Sequence, residues 1–118
     1  MKSKTVAVYG IKNCETMKKA RAWLEQHGVD YVFHDYKVED VEKARLEGWV
    51  KQAGWETVLN RAGMTFRNLP ESAKANLTEK KAVALMLANP SMIKRPVVEA
   101  GAKLLIGFKP DAYEKAFG

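Results

Sequence analysis

Thr5–Leu24, TVAVYGIKNCETMKKARAWL, reads as a strand, a short loop and a helix with the chain's single cysteine at the junction. Thr5 to Tyr9 is short, β-branched and aromatic, and Gly10 ends it, as expected of a strand buried on both faces in a sheet layered with helices. After it, Met17, Ala20, Leu24 and then His27 or Gly28 recur at helical spacing. Cys14 therefore falls at the first turn of the helix. Unpaired backbone N–H groups and the positive end of the helix dipole meet there, and both favour a thiolate over a thiol. Lys18 and Arg21 follow at one and two turns, so the helical spacing puts both on the side of the thiol. A lone intracellular cysteine is often only a small buried hydrophobe. Here the junction and the nearby cations point instead to a functional thiol.

The rest of the chain completes an α/β pattern. Val29 to Tyr36 is the next strand, which makes a βαβ unit with parallel strands and a right-handed crossover. Val41 to Ala53 has helical periodicity with Gly54 after it, although Gly48 weakens the pattern. Asn60 to Gly63 reads as a turn, Pro70 as a break, Thr78 as an N-cap, and Asn89–Pro90 as a helix stop. Residues from about 39 to 90 thus form a mostly helical insertion. Val97–Glu99 and Lys103–Ile106 flank Ala100–Gly101 as a tight hairpin, and Pro110 to Phe117 is a last short helix. His34 lacks a partner at metal-ligand spacing and reads as a satisfied or surface histidine, while His27 suits the negative end of a helix dipole. The tryptophans and methionines read as packing residues, and no metal site is expected.

Composition narrows the class. At 118 residues, 47% hydrophobic and 29% charged, the chain is expected to form one soluble domain over residues 1–118 with its own core. No apolar run reaches membrane-spanning length, and Met1 to Lys4 leads into a strand rather than a signal-peptide core. A cytoplasmic monomer with no membrane partner is the expectation. With one cysteine there is no internal disulfide and no thiolate zinc cluster, which fits a reducing compartment. The net charge of +6 is spread among acidic residues without a dense basic run or a nucleic-acid motif, so no direct nucleic-acid binding is expected.

GIKNCETMKKARAWLEQHG, followed in order by GWETVLNRAG, NPSMIKRPVV and KLLIGFKP, resembles the arsenate reductase-related ArsC/Spx/YffB family, and most closely its YffB-type members. The resemblance covers nearly the whole chain. It implies a thioredoxin-like fold with a mixed sheet, the helical insertion lying between the βαβ half and the carboxy-terminal hairpin and helix. It also places Arg95 and a cis Pro96 beside Cys14. Arginine offers planar, permanently charged donors, so Arg95 would stabilise the thiolate and hold an anionic group.

On this resemblance the expected activity is that of a glutathione-dependent monothiol reductase, a thiol-disulfide oxidoreductase acting through a mixed disulfide. Cys14 and Arg95 are the catalytic candidates, and Lys12, Asn13, Lys18, Arg95 and Pro96 the glutathione-binding ones. No cofactor is expected to be tightly bound: glutathione is the reductant, with a glutaredoxin as a further partner. Two alternatives remain. One is an Spx-like regulator that binds RNA polymerase without turnover, although its frequent CxxC switch is Cys14-Glu15-Thr16-Met17 here. The other is arsenate reduction, for which Glu71 and Ile106–Gly107 stand near the positions of two family arginines; Arg67, placed one helical turn before Glu71, is the candidate substitute.

Overall fold

The structure is a computed structural model that describes residues 6–12, 14–36, 38 and 41–117. The chain divides into two compact units, Met1–Glu39 with Arg95–Gly118, and Asp40–Lys94.

The first unit is built on a four-stranded sheet in the order β2-β1-β3-β4. Its strands are β1 (Val6–Gly10), β2 (Tyr31–Asp35), β3 (Val97–Ala100) and β4 (Lys103–Ile106). β1 runs parallel to β2 and antiparallel to β3, which pairs antiparallel with β4, so the sheet is mixed as expected. Helix α1 (Glu15–Gln26) joins the parallel pair. Its Met17, Ala20 and Leu24 are fully buried with Val6, Val8, Val98 and Tyr113. Burying a side chain of this size contributes about 1.5–3 kcal/mol, more than intrinsic helix propensity supplies.

Both ends of α1 are fixed by local chemistry. Gly28 adopts φ 68°, its N–H donates to the Glu25 carbonyl at 3.2 Å, and the Val29 N–H donates to Leu24 at 2.9 Å. This left-handed glycine stop satisfies the last carbonyls and sends Val29 back to the core. His27 Nδ1 lies 2.8 Å from the Trp23 carbonyl, which only accepts, so the proton sits on Nδ1. At the hairpin, Ala100 pairs with Lys103 across Gly101–Ala102, and positive φ occurs at Gly101 alone, the pattern of a type II′ turn. The carboxy-terminal helix spans Pro110–Phe117, and its Tyr113 hydroxyl donates to the Gly107 carbonyl at 3.1 Å.

The second unit holds α2 (Lys43–Ala53), α3 (Trp55–Val58), α4 (Met64–Arg67), α5 (Glu71–Lys74), α6 (Glu79–Ala88) and a 3₁₀ turn, Pro90–Met92. α2 packs on α3 and α6, burying Leu46, Trp49 and Val50 from one side and Ala82, Val83 and Met86 from another. Thr78 caps α6 as its sequence suggests, its hydroxyl accepting the Lys81 N–H at 3.2 Å. Arg67 and Glu71 do not share a helix. Pro70 cannot donate the hydrogen bond that continuity would need, so α4 ends at Arg67 and α5 begins after Pro70.

Two glycine substitutions should have opposite effects. A Cβ on Gly10 would collide with Sδ and Cε of buried Met17, whereas one on exposed Gly48 in α2 meets nothing within 4 Å. Gly10→Ala is expected to destabilise by about 1–3 kcal/mol through overpacking. Gly48→Ala is expected to stabilise by about 0.5–1 kcal/mol by removing unfolded-chain entropy. Urea denaturation of both variants against wild type checks the pair.

Candidate active site

Cys14 is the N-cap residue of α1, with extended backbone angles of φ −126° and ψ 133°. Its carbonyl accepts the first helical hydrogen bond, from the Lys18 N–H at 2.9 Å. The half-buried thiol closes no capping hydrogen bond of strict geometry, but the N–H groups of Thr16 and Met17 stand close enough to favour its charged form. Several influences compete at the sulfur. Partial burial pushes the Cys14 thiol up; the Met17 N–H, a hydrogen bond from the Arg95 guanidinium, the Thr16 N–H and the Arg95 charge pull it down and prevail. Cys14 consequently titrates below the ordinary thiol value.

Arg95 reaches the cysteine from the segment leading into β3. The Arg95–Pro96 peptide is cis and Pro96 is buried. The Gly107 N–H donates to the Pro96 carbonyl at 2.8 Å, tying the end of β4 to the start of β3. β3 in turn pairs with β1, the strand that delivers Cys14. Because β1 and β3 are antiparallel, with Tyr9 opposite Val97, the end of β1 and the start of β3 lie at the same end of the sheet and bring Cys14 and Arg95 together.

The other sequence candidates are placed differently. Lys12 is exposed in the turn after β1, and Asn13 lies outside the described residues. Lys18 is exposed and its Nζ stands 4.0 Å from Glu15 Oε1, so a carboxylate accompanies that cation. Arg21 turns away from the thiol: its Nε donates to the Tyr31 hydroxyl at 3.0 Å, and its guanidinium lies 4.6 Å from the Phe33 ring centroid. The cation that acts on Cys14 is therefore Arg95, not Arg21. Glu71 is 94% exposed on α5 and 3.5 Å from Lys74 Nζ. Arg67 is exposed, and its carbonyl accepts from Lys74 Nζ at 3.3 Å.

Strand alternation also assembles a group that the helical spacing did not single out. Tyr31 and Phe33 face the α1 core, which leaves His34 on the opposite sheet face, stacked on Tyr9 with ring centroids 4.6 Å apart. The Tyr9 hydroxyl reaches Glu99 Oε1 on β3 at 3.5 Å. Just past β2, the Tyr36 N–H donates to the Gly10 carbonyl at 2.8 Å, and its side chain is only 6% exposed. Burial pushes the Tyr36 hydroxyl far above the ordinary tyrosine value, with the Arg95 charge opposing and Tyr9 and Glu99 adding to the rise. It stays neutral at any physiological pH. Period-two alternation in VFHDY was the available signal for this face.

Among the described residues no cluster of His, Cys, Asp or Glu is arranged to hold a metal, and no helix is long and apolar enough to cross a membrane. The model of the ArsC family matches residues 9–116. A solved YffB protein is 58% identical with a TM-score of 0.93, over 96% of this chain and 99% of its own. An arsenate reductase (ArsC) related protein from Brucella melitensis is 56% identical with a TM-score of 0.79, over 99% and 98% of the two chains. An uncharacterized protein of Haemophilus influenzae is 40% identical over 95% of this chain and 98% of its own. The global transcriptional regulator Spx of Streptococcus pyogenes is 26% identical over 90% and 80%.

Replacing Arg95 with Gln should raise the Cys14 pKa toward that of a free thiol, about 8.5. Iodoacetamide alkylation rates across pH read this directly, and a wild-type midpoint at or above the free value contradicts the activated thiol. The same shift couples to stability. Because the folded thiol titrates below the unfolded one, its stabilising contribution is absent below the folded pKa, grows as pH rises between the two values, and is complete above the unfolded pKa. The stability difference between wild type and Cys14→Ser should widen in wild type's favour over that window.

Proposed function

The chain belongs to the ArsC family, and from that premise we propose that it is a thiol reductase working through a Cys14–glutathione mixed disulfide. The observation that carries this reading is the placement of one thiol at a helix N-terminus, hydrogen-bonded by an arginine. A thiolate held in this way is a nucleophile at neutral pH.

The reaction conserves atoms and electrons. Cys14 Sγ attacks the glutathione sulfur of an oxidised substrate, forming the Cys14–glutathione bond and expelling the substrate thiolate. A second glutathione thiolate then attacks the glutathione sulfur of the adduct, releasing oxidised glutathione and the Cys14 thiolate. The substrate sulfur leaves reduced to a thiolate, and one external glutathione is oxidised as it pairs with the glutathione that the substrate carried. The chain has no second cysteine, so resolution has to come from an external thiol, glutathione itself or a glutaredoxin. Arg95 supplies a charge-assisted contact to a glutathione carboxylate, and the segment ahead of Pro96 offers backbone to a peptide-like ligand. Lys12, in the turn after β1, and Lys18, in the first turn of α1, line the approach in this reading, and Asn13, which precedes Cys14 in the sequence, is the further candidate.

Arsenate is the poorer substrate. A compact oxyanion has to be held by several donors where charge develops, and Arg95 is the side-chain cation acting on Cys14. Glu71 and Ile106–Gly107 add no positive charge. The Spx resemblance instead supports a binding role with RNA polymerase as the partner, but a two-cysteine switch within the chain is impossible.

Incubation with oxidised glutathione followed by intact mass should show one adduct on wild type and none on Cys14→Ser. Arg95→Ala should slow adduct formation about tenfold, the equivalent of one charge-assisted hydrogen bond. A glutathionylated test peptide should be turned over in the presence of glutathione, with arsenate reduction weak or absent. If wild type acquires no adduct while co-purifying with RNA polymerase, the reductase reading fails and the regulator reading replaces it.

A further inference from the structure

The second unit holds a groove that the thiol chemistry does not use. It lies between α2 and α6, has a volume of about 390 Å³, and is lined only by residues of those two helices. Its floor comes from α6. Ala82–Ala88 is a run of seven apolar residues, of which Ala82, Val83 and Met86 bury the helix against its neighbours. A surface helix ordinarily carries polar residues on the side turned away from its core. Here Ala84 is exposed and Leu87 half-buried, and both line the groove beside Val83.

The rim is charged. Lys43 and Lys51 stand on α2 with Glu47 between them in the sequence, and Lys80 follows Glu79 on α6. Among the described residues none of these three ammonium groups has a hydrogen bond or an ion pair. Neighbouring cations do: Arg45 lies 3.9 Å from Glu42, and Lys81 Nζ donates to the Asn76 carbonyl at 3.3 Å. Lys43 and Lys80 do not serve their own helices either. Each lies in a first turn, where the helix dipole disfavours a cation, and it is Glu79 whose charge suits that place.

We propose that this groove binds one monomeric anionic amphiphile, a single medium-length acyl chain ending in a carboxylate. The chain lies on Val83, Ala84 and Leu87, and the carboxylate is held among the lysines. Small-molecule sites occupy about 300–1,000 Å³, and a volume near the lower end suits one chain rather than a two-chain lipid. The charge also fits. Three cations face two carboxylates, and the α6 dipole already offsets that of Glu79, so the rim is left positive. Such an occupant takes from water the apolar surface that α6 leaves outside its core and gives the lysines a counter-charge. No covalent step is involved, and binding does not depend on the chemistry at Cys14.

The test titrates the full chain with dodecanoate below its micelle-forming concentration and follows the backbone amide resonances. Saturable one-to-one binding is expected, with shifts confined to α2 and α6. Dodecyltrimethylammonium, the same chain with a cationic head, should bind about tenfold more weakly or not at all. Ala84→Glu places a carboxylate on the groove floor at an exposed helical position, so it should abolish dodecanoate binding and leave the fold intact. Replacing Lys43, Lys51 and Lys80 together with Gln should weaken binding about tenfold, the combined worth of two or three exposed ion pairs. In urea, Lys43→Gln and Lys80→Gln should unfold at the wild-type midpoint or above it. A lower midpoint in those variants assigns the lysines to folding and overturns the proposal. Unsaturable binding, equal affinity for the two amphiphiles, or shifts spread over the sheet overturn it as well. Concentration-dependent dimerisation without dodecanoate binding would put a second copy in the groove instead, and binding of an acidic helical peptide in place of dodecanoate would put a protein partner there.

Discussion

The burial of one helical stripe on one sheet face determines much of what happens at the cysteine. Met17, Ala20 and Leu24 seat α1 against Val6, Val8 and Val98, and this fixes the helix axis relative to β1. Gly10 permits it, because any larger residue there would meet the Met17 thioether. The helix can then begin within a few residues of the strand's end, so its unsatisfied N–H groups are presented beside the carboxyl end of β1 rather than spent in a long connection. Packing energy, supplied by side chains that take no part in chemistry, holds an electrostatic device in place.

That device works against a cost. Partial burial alone would make Cys14 a weaker acid, and it is the first influence on the thiol. Helix N–H groups and a guanidinium reverse the outcome because they arrive preoriented and need not be reorganised when the charge forms. Flanking lysines contribute little by comparison. Lys18 is exposed and stands beside Glu15, where solvent and a counter-charge screen it.

Local order was legible in the sequence, and long-range pairing was not. The apolar alternation of Val6 to Tyr9 and the spacing of Met17, Ala20 and Leu24 locate β1 and α1 to within a residue or two, since both signals are carried by neighbours in the chain. The α6 cap was readable for the same reason: Thr78 acts on an N–H three residues away. Arg21 shows the limit. Helical spacing gives the angle at which a side chain leaves the helix, but Tyr31 and Phe33 of β2 decide where a long guanidinium comes to rest. The proximity of Arg95 to Cys14 had no periodic signature and was expected only because the segments resemble a family. Tyr9, His34, Tyr36 and Glu99 were visible as residues of alternating strands, but strand register is what sets them side by side.

Strand order also bears on synthesis. β1 and α1 leave the ribosome well before β3, which carries Arg95 into place beside β1. Until the hairpin docks, the nascent chain has the cysteine and the helix terminus without the guanidinium. Full activation of the thiol therefore waits on a contact spanning most of the chain, one whose closure is costly and late. Reactivity is conferred on the finished protein, and an unfinished or truncated chain is spared it.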